Sequence, residues 1–192
     1  MSAPAAPRPE MLPPRARLAR LAAVADGIDR LTGAVFRVAA WGALVVVLVQ
    51  LAVVLCRYAL GAGSLWLQET AVYAHAALFM LAAAGTLSRG GHVRVDLFYA
   101  DAAPRKIAIV DALGTVMFLL PFAGVLLWLS WPYVGRSWAI LERSREASGL
   151  PLVFLLKSLI PAFAVLMFLQ GLAQLFRAVL VLAGRAPAAG HG

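Results

Sequence analysis

Four long apolar stretches dominate the chain, and shorter polar segments separate them. They cover about residues 38–56, 65–87, 107–131 and 152–182, so each holds between 19 and 31 residues. A helix rising about 1.5 Å per residue needs about 20 residues to cross a hydrocarbon layer of roughly 30 Å. The pattern predicts an all-α integral membrane protein, with a four-helix membrane domain over residues 38–182.

A different pattern precedes the first span. Over residues 18–37 apolar residues recur at helical spacing, and arginines and aspartates take much of the remaining surface. This amphipathic basic segment is either a helix lying on the membrane surface or an extension of the first span. Residues 1–17, which begin with a Pro- and Ala-rich stretch, are predicted to be a disordered cytoplasmic tail, and residues 183–192 a second loose cytoplasmic tail.

Glycines and prolines mark the breaks between and within the spans. Gly61 and Gly63 predict a tight turn between the first two spans. Pro121 lies inside the third span and predicts a kink there, because proline lacks the backbone donor that the helix needs.

The composition excludes a water-soluble domain, since 62% of the residues are hydrophobic and 14% are charged. The net charge of +8 does not indicate nucleic-acid binding, because Lys and Arg lie between the apolar spans rather than on one face. They are better explained as topology signals and anchors to membrane lipid. Cys56 is the only cysteine, so the chain has no internal disulfide and no Cys-rich metal site.

The distribution of Lys and Arg predicts the orientation. Twelve fall on the side that holds both termini and the 88–106 loop, and four fall on the other side, with Lys157 just inside the fourth span. Positive charge is enriched in cytoplasmic segments, which places both termini inside. The four on the outer side are Arg57, Arg136, Arg143 and Arg145.

Two ionisable residues lie within the second span. Glu69 is about one turn from its start, and a carboxylate in a span costs roughly 2.5 to 3.5 kcal/mol, less near the interface. We therefore favour a partly hydrated acid paired with Arg57 across the turn over a proton or ion relay. His75 lies deeper, shares a helix face with Gln68, and is more typical of a hydrogen-bonded packing residue than of a ligand.

The spans contain no second histidine to oppose His75 in a haem site and no paired carboxylates or Ser–His arrangement. The sequence therefore predicts no cofactor, no metal, no catalytic residue and no enzyme.

Two charged loops are candidate contact surfaces. In RGGHVRVD, which begins at Arg89, an extended chain would present His92, Arg94 and Asp96 on one side, and this edge is either solvated or docked on a neighbour. The loop over 138–151 carries nearly balanced charges and is either a mixed solvated loop or a docking surface for a partner on the outer face.

A polar stripe follows one face of the fourth span near its cytoplasmic end. It consists of Gln170, Gln174 and Arg177, at i, i+4 and i+7. Snorkelling of Arg177 to the interface explains most of it.

Several short sequences follow one another in a fixed order on these spans and loops. They are RY, GSLWLQE, HAALFMLAAAGTL, GGHVRVDLFY, ERSREASGLP, a following lysine and LQGL. This order resembles the DctQ-like small permease subunit of TRAP transporters, the tripartite ATP-independent periplasmic carriers, and is most similar to their mannitol/chloroaromatic compound branch. The resemblance covers about residues 28–177.

The resemblance implies a scaffold subunit in a bacterial inner membrane. Such a subunit binds a large permease subunit, which carries the substrate and sodium sites and moves as an elevator, and it helps to receive a substrate-loaded periplasmic binding protein. The family's typical solute is a small organic acid. By analogy Glu142, Ser144 and Lys157 lie toward the face where the binding protein docks. The residues implied to fix the helices and the contact with the large subunit are Arg57, Gln68, Glu69, His75, Arg89, His92, Arg94 and Asp96.

Two other functional classes also use small sets of spans. A self-sufficient proton-coupled exporter could use Glu69 as its proton site, but such carriers place the acid near the midplane and Glu69 lies close to the edge. An electron-transfer anchor would need a second intramembrane histidine.

Overall fold

The computed structural model describes residues 14–91, 102–146 and 148–184, and every regular element in these ranges is helical. The helices are α1 (Pro14–Ala59), α2 (Leu65–Ser88), α3 (Pro104–Gly114), α4 (Leu120–Ala139) and α5 (Val153–Leu182). Four segments are long and apolar enough to cross a membrane, because α3 and α4 continue into each other as one segment, Pro104–Ala139. The predicted all-α architecture with four spans is therefore confirmed.

The first span and the amphipathic segment before it form one continuous helix, α1, of 46 residues. At a rise of about 1.5 Å per residue it is about 69 Å long, roughly twice what the hydrocarbon layer requires. Residues 18–37 are thus continuous with the first span in one helix.

Helix α2 runs antiparallel to α1 and packs closely against it. The contact is tight at Gly85, where an added Cβ would collide with the Cβ of Phe36 on α1. Next to this point the Arg89 guanidinium carbon lies 4.1 Å from the centre of the Phe36 ring, and its Nη1 donates to the Gly85 carbonyl over 3.0 Å. A small residue thus lets the two backbones approach, as is common between membrane helices.

The third span contains the proline predicted to disturb it, and the disturbance takes the form of a π-helical turn. Residues Thr115–Leu119 form this turn, and the Leu120 amide donates to the Thr115 carbonyl, five residues back. Pro121 follows directly, at the start of α4. The wider turn accommodates a residue that has no amide hydrogen and would otherwise crowd the preceding turn.

Helix α5 occupies the centre of the molecule. It approaches α1, α2, α3 and α4, whereas α1 and α2 approach each other and α5 but neither α3 nor α4. Ala84 of α2, Ala123 of α4 and Met167 of α5 form a buried apolar cluster. The four spans are therefore not a closed ring of helices: the pair α1–α2 and the pair α3–α4 each pack on α5.

Candidate functional site

One end of the molecule contains the α1–α2 turn and the α4–α5 loop, and we call it the loop end. We call the opposite end the termini end. Each end holds one group of hydrogen-bonded polar side chains. The Glu69 cluster, at the loop end, comprises Glu69, Ser144, Ser137, Glu142 and Lys157. The Asp29 cluster, at the termini end, comprises Asp26, Asp29, Thr32, Gln170 and Arg177.

Glu69 holds the α4–α5 loop against the start of α2. The Ser144 hydroxyl donates to Oε1 over 2.5 Å, and the Leu150 amide donates to Oε2 over 2.5 Å. The Ser144 amide also donates to the Leu150 carbonyl over 3.1 Å, which closes the loop on itself. One carboxylate thereby satisfies donors at both ends of a seven-residue segment, and the ionised form accepts such bonds most strongly.

The expected pairing of Glu69 with Arg57 is wrong for the described part of the chain. Arg57 is exposed in the last turn of α1, and no ion pair joins it to Glu69 in the described ranges. The physical reason is that both carboxylate oxygens already accept bonds from the α4–α5 loop, which lies 75 or more residues away in sequence.

Glu142 and Lys157 form a second tie within the same cluster. Lys157 Nζ lies 2.5 Å from Glu142 Oε2 and 4.3 Å from the centre of the Tyr133 ring, and the Ser137 hydroxyl donates to the same carboxylate oxygen over 2.7 Å. These bonds, with Lys157 first and Ser137 second, hold the pKa of the Glu142 carboxyl below its usual value. The pair joins the end of α4 to the start of α5.

The backbone at the end of α4 directs Glu142 toward this position. The Leu141 amide donates to the Trp138 carbonyl over 3.1 Å, and the Glu142 amide donates to the Ser137 carbonyl over 3.0 Å. Leu141 has φ 45°, so the two bonds and the left-handed residue form a Schellman motif with leucine where glycine is usual. This reversal brings the Glu142 carboxylate back to the helix it has just left.

The Asp29 cluster joins α1 to α5 at the termini end. Gln170 Nε2 donates to Asp29 Oδ1 over 2.8 Å, and the Thr32 hydroxyl donates to Gln170 Oε1 over 2.9 Å. Arg177 pairs with Asp29 and lies 3.4 Å from Asp26 Oδ1. Gln170 and Thr32 are fully buried, so their hydrogen bonds are made away from solvent.

Sequence reasoning missed this second cluster. It identified the stripe of Gln170, Gln174 and Arg177 but attributed it to snorkelling of one arginine, and it assigned the aspartates of α1 to an exposed polar surface. The available signal was a second stripe at matching depth, Asp26, Asp29 and Thr32 at i, i+3 and i+6 on α1. Gln174 belongs to the same region, 3.5 Å from the Thr115 hydroxyl.

The remaining predicted site residues do not join either cluster. His75 is exposed near the middle of α2, Gln68 is partly buried near its start, and Arg89 packs on Phe36 at its end. His92, Arg94 and Asp96 lie outside the described residues. Within the described ranges, no three His, Cys, Asp or Glu side chains are placed to hold a metal ion together.

The polar side chains of the two clusters tie helices and a loop together in a protein that has four segments able to cross a membrane, and a family comparison agrees with this architecture. Residues 46–181 match the family described as Tripartite ATP-independent periplasmic transporters, DctQ component. The chain belongs to the DctQ family. The match covers more than half of the chain and includes α2 to α4, the end of α1 and nearly all of α5.

No curated protein and no solved structure matches the chain. DctQ membership by itself identifies a transporter component, not an enzyme, and a multi-pass membrane protein. The predicted family is confirmed at this level.

Proposed function

We propose that this DctQ protein is the small scaffold subunit of a TRAP transporter in a bacterial inner membrane. It pairs with a large permease subunit and a periplasmic solute-binding protein for cation-coupled uptake of a small organic acid, in the mannitol/chloroaromatic compound branch. The observation that carries the proposal is the family match over residues 46–181. The orientation that goes with it has both termini in the cytoplasm and the loop end in the periplasm.

The use of the polar side chains supports a scaffold. Glu69 accepts bonds at both carboxylate oxygens from one loop, and Glu142 is paired with Lys157. An acid that serves as a proton site has to change its partners during transport, whereas these carboxylates fix helices and a loop. The exporter that would use Glu69 is therefore not favoured by any contact of this residue.

The exposed face of α2 is the proposed contact with the large subunit. Val72, His75 and Phe79 follow one another at i, i+3 and i+7 and are all exposed, Val72 by 59% and Phe79 by 68%. His75 lies ten residues from the start of α2, about 15 Å into the span, where no water is present to bond its imidazole. A polar side chain at this depth favours a protein neighbour over lipid.

Affinity purification of the tagged chain from native membranes in mild detergent, followed by mass spectrometry, tests the proposal. A much larger polytopic protein should co-purify in equal amount. Recovery of the chain alone, or as a dimer of itself, would contradict the scaffold function.

A matched pair of phenylalanines tests the contact face within the same experiment. Phe79→Ala on α2 should reduce the amount of large subunit recovered, and His75→Ala should do the same. Phe118→Ala, which removes a ring exposed by 74% on the third span, is the control and should leave recovery unchanged.

A further inference from the structure

Three exposed arginines lie at the edge where α1 and α2 meet at the termini end. Arg30 and Arg37 precede and follow Gly33 by three and four residues, so the three positions share one face of α1. Arg89, at the end of α2, reaches the same point, because its Nη2 lies 3.8 Å from the position that a Cβ on Gly33 would take. Two helices therefore bring three guanidinium groups to the neighbourhood of one glycine.

The Arg89 side chain is held in place. Its guanidinium carbon lies 4.1 Å from the centre of the Phe36 ring, and its Nη1 donates to the Gly85 carbonyl over 3.0 Å. The hydrogen bond uses one of the five N–H donors of the group. The residue is nevertheless exposed, so the remaining donors can bind an anion in a fixed geometry.

The acids on this part of the described surface do not neutralise the arginines. Asp26 and Asp29 are the acids of α1, and both pair with Arg177 of α5. Neither Arg30 nor Arg37 forms an ion pair or a side-chain hydrogen bond with a residue of the described ranges. Counting Arg177, four arginines stand against two aspartates, which leaves an excess of two positive charges.

The arginines lie at the boundary between the polar and the apolar part of α1. Arg37 is the last charged residue before the uncharged stretch 38–56, and Arg89 directly follows the last residue of α2. On the apolar side Val38 is 75% exposed and Trp41 is 71% exposed, and tryptophan is typical of the interface between hydrocarbon and headgroups. The positive groups are therefore at the depth of lipid phosphates, next to an exposed apolar face.

Topology accounts for arginine on this side of the membrane but not for this arrangement. The enrichment of positive charge on one side depends on how many charges a segment carries and does not require that they meet. Arg17 and Arg20 contribute to the same enrichment on α1, and they lie at least about 15 Å from Arg30 along the helix axis. The approach of Arg89 to α1 has to be explained by what the arginines bind.

We propose that Arg30, Arg37 and Arg89 bind the phosphate of an anionic phospholipid, whose acyl chains lie along the exposed face of α1 at Val38 and Trp41. Guanidinium groups bind phosphate through paired hydrogen bonds, and basic pockets between membrane helices are suited to such headgroups. The bound lipid would join α1 to α2 at their edge. Binding of this kind requires only these two helices and a membrane, so it is independent of the transporter function.

Native mass spectrometry of the full-length chain, purified in a neutral detergent and titrated with phosphatidylglycerol or phosphatidylcholine, tests the site. Wild type should bind phosphatidylglycerol about tenfold more tightly than phosphatidylcholine, since each arginine near an anionic lipid favours binding. The double variant Arg30→Gln and Arg37→Gln should lose most of this preference. It leaves the contacts of Arg89 with Phe36 and Gly85 in place, so the packing of α1 on α2 is retained.

The matched control is Arg17→Gln with Arg20→Gln, which removes two exposed arginines from the same helix and should keep the preference. Arg89→Lys keeps the charge but not the paired donors, and it should weaken binding several-fold. An unchanged preference in the Arg30 and Arg37 double variant overturns the proposal. An equal loss in the control also overturns it, because the attraction to anionic lipid would then be diffuse.

Inorganic phosphate serves as a competitor that separates a lipid headgroup from a soluble anion. Phosphatidylglycerol should stay bound when millimolar phosphate is added, because its acyl chains contribute to binding along α1. Release of the lipid by phosphate would overturn the assignment to a headgroup and would indicate a site for a soluble anion.

Discussion

The two polar clusters lie at opposite ends of the molecule and tie it together in different ways. The Asp29 cluster joins two helices, α1 and α5, through the fully buried pair Gln170 and Thr32. The Glu69 cluster joins a loop to helices, and its ion pair keeps side-chain exposures of 17% for Lys157 and 29% for Glu142. The difference teaches that a buried amide can fix helix packing, whereas partly exposed carboxylates order a surface.

The largest expected effect on stability comes from changing the Asp29 cluster, which contains the buried pair. Gln170→Leu removes the donor to Asp29 and the acceptor for Thr32. We expect a loss of about 2 kcal/mol in the free energy of unfolding, since one buried and one partly buried hydrogen bond are lost. Chemical denaturation in detergent measures it. Gln50→Leu is the control, because Gln50 is exposed on α1. Equal losses in the two variants would contradict the role of the Asp29 cluster.

The next effect concerns the order of the loop. Glu69→Gln leaves one acceptor oxygen for two donors, and Ser144→Ala removes one of the two donors. Each variant therefore loses one of the two bonds between α2 and the loop, so trypsin should cleave after Arg143 and Arg145 several-fold faster. Time-resolved limited proteolysis with mass spectrometry measures this rate. Ser148→Ala alters an exposed serine of the same loop and should not change it. Cleavage at the wild-type rate in Glu69→Gln would show that the carboxylate does not order the loop.

A smaller effect should appear in the dependence of stability on pH. The pKa of Glu142 is below its usual value of 4.5 because Lys157 and Ser137 bond its ionised form. A lowered pKa in the folded state gives a stabilisation that is present above the usual pKa and is lost as the pH falls through the folded-state pKa.

Thermal unfolding of wild type and Glu142→Gln from about pH 7 to about pH 3 tests this sign. The difference between the two proteins should be present at pH 7 and should vanish in acid. Glu146→Gln, at an exposed acid, should follow the wild-type curve. A difference that grows as the pH falls would contradict the assignment.

The smallest expected effect is an increase in stability. Leu141 adopts φ 45° and the residue is 57% exposed, so Leu141→Gly removes backbone strain and loses little packing. We expect a stabilisation of up to about 1 kcal/mol. Gly90, at the equivalent position after α2 with φ 69°, gives the opposite comparison, and Gly90→Ala should destabilise by a similar amount. Destabilisation by Leu141→Gly would mean that the leucine side chain has a role of its own.

A feature could be predicted when the residues that determine it lie close together in the sequence. The second span, predicted over 65–87, is observed as Leu65–Ser88, because hydropathy and the glycines after Ser88 are local signals. The partners of Glu69 come from residues 144 and 150, and nothing near Glu69 in the sequence points to them. The nearest cation in sequence, Arg57, was chosen for that reason and was wrong.

The Asp29 cluster shows the same limit for contacts between two helices that are far apart in the sequence. Its two stripes were each visible at helical spacing, but pairing them requires knowing that α1 and α5 are neighbours, and 138 residues separate Thr32 from Gln170. The continuity of α1 was also left open, because an amphipathic pattern is compatible with a helix on the membrane or beyond it. The pairing of the two stripes and the continuity of α1 both depend on how the helices pack, which the periodicity of the sequence does not show.

The central position of α5 has a consequence for how the protein is made. Helices α1 and α2 can associate as a hairpin as soon as both have left the ribosome, since they contact each other directly. The third span approaches neither of them and packs on α5, which is synthesised after it. During translation the third span therefore stays in the bilayer without its partner helix until α5 inserts. Only then can the complete tertiary structure form.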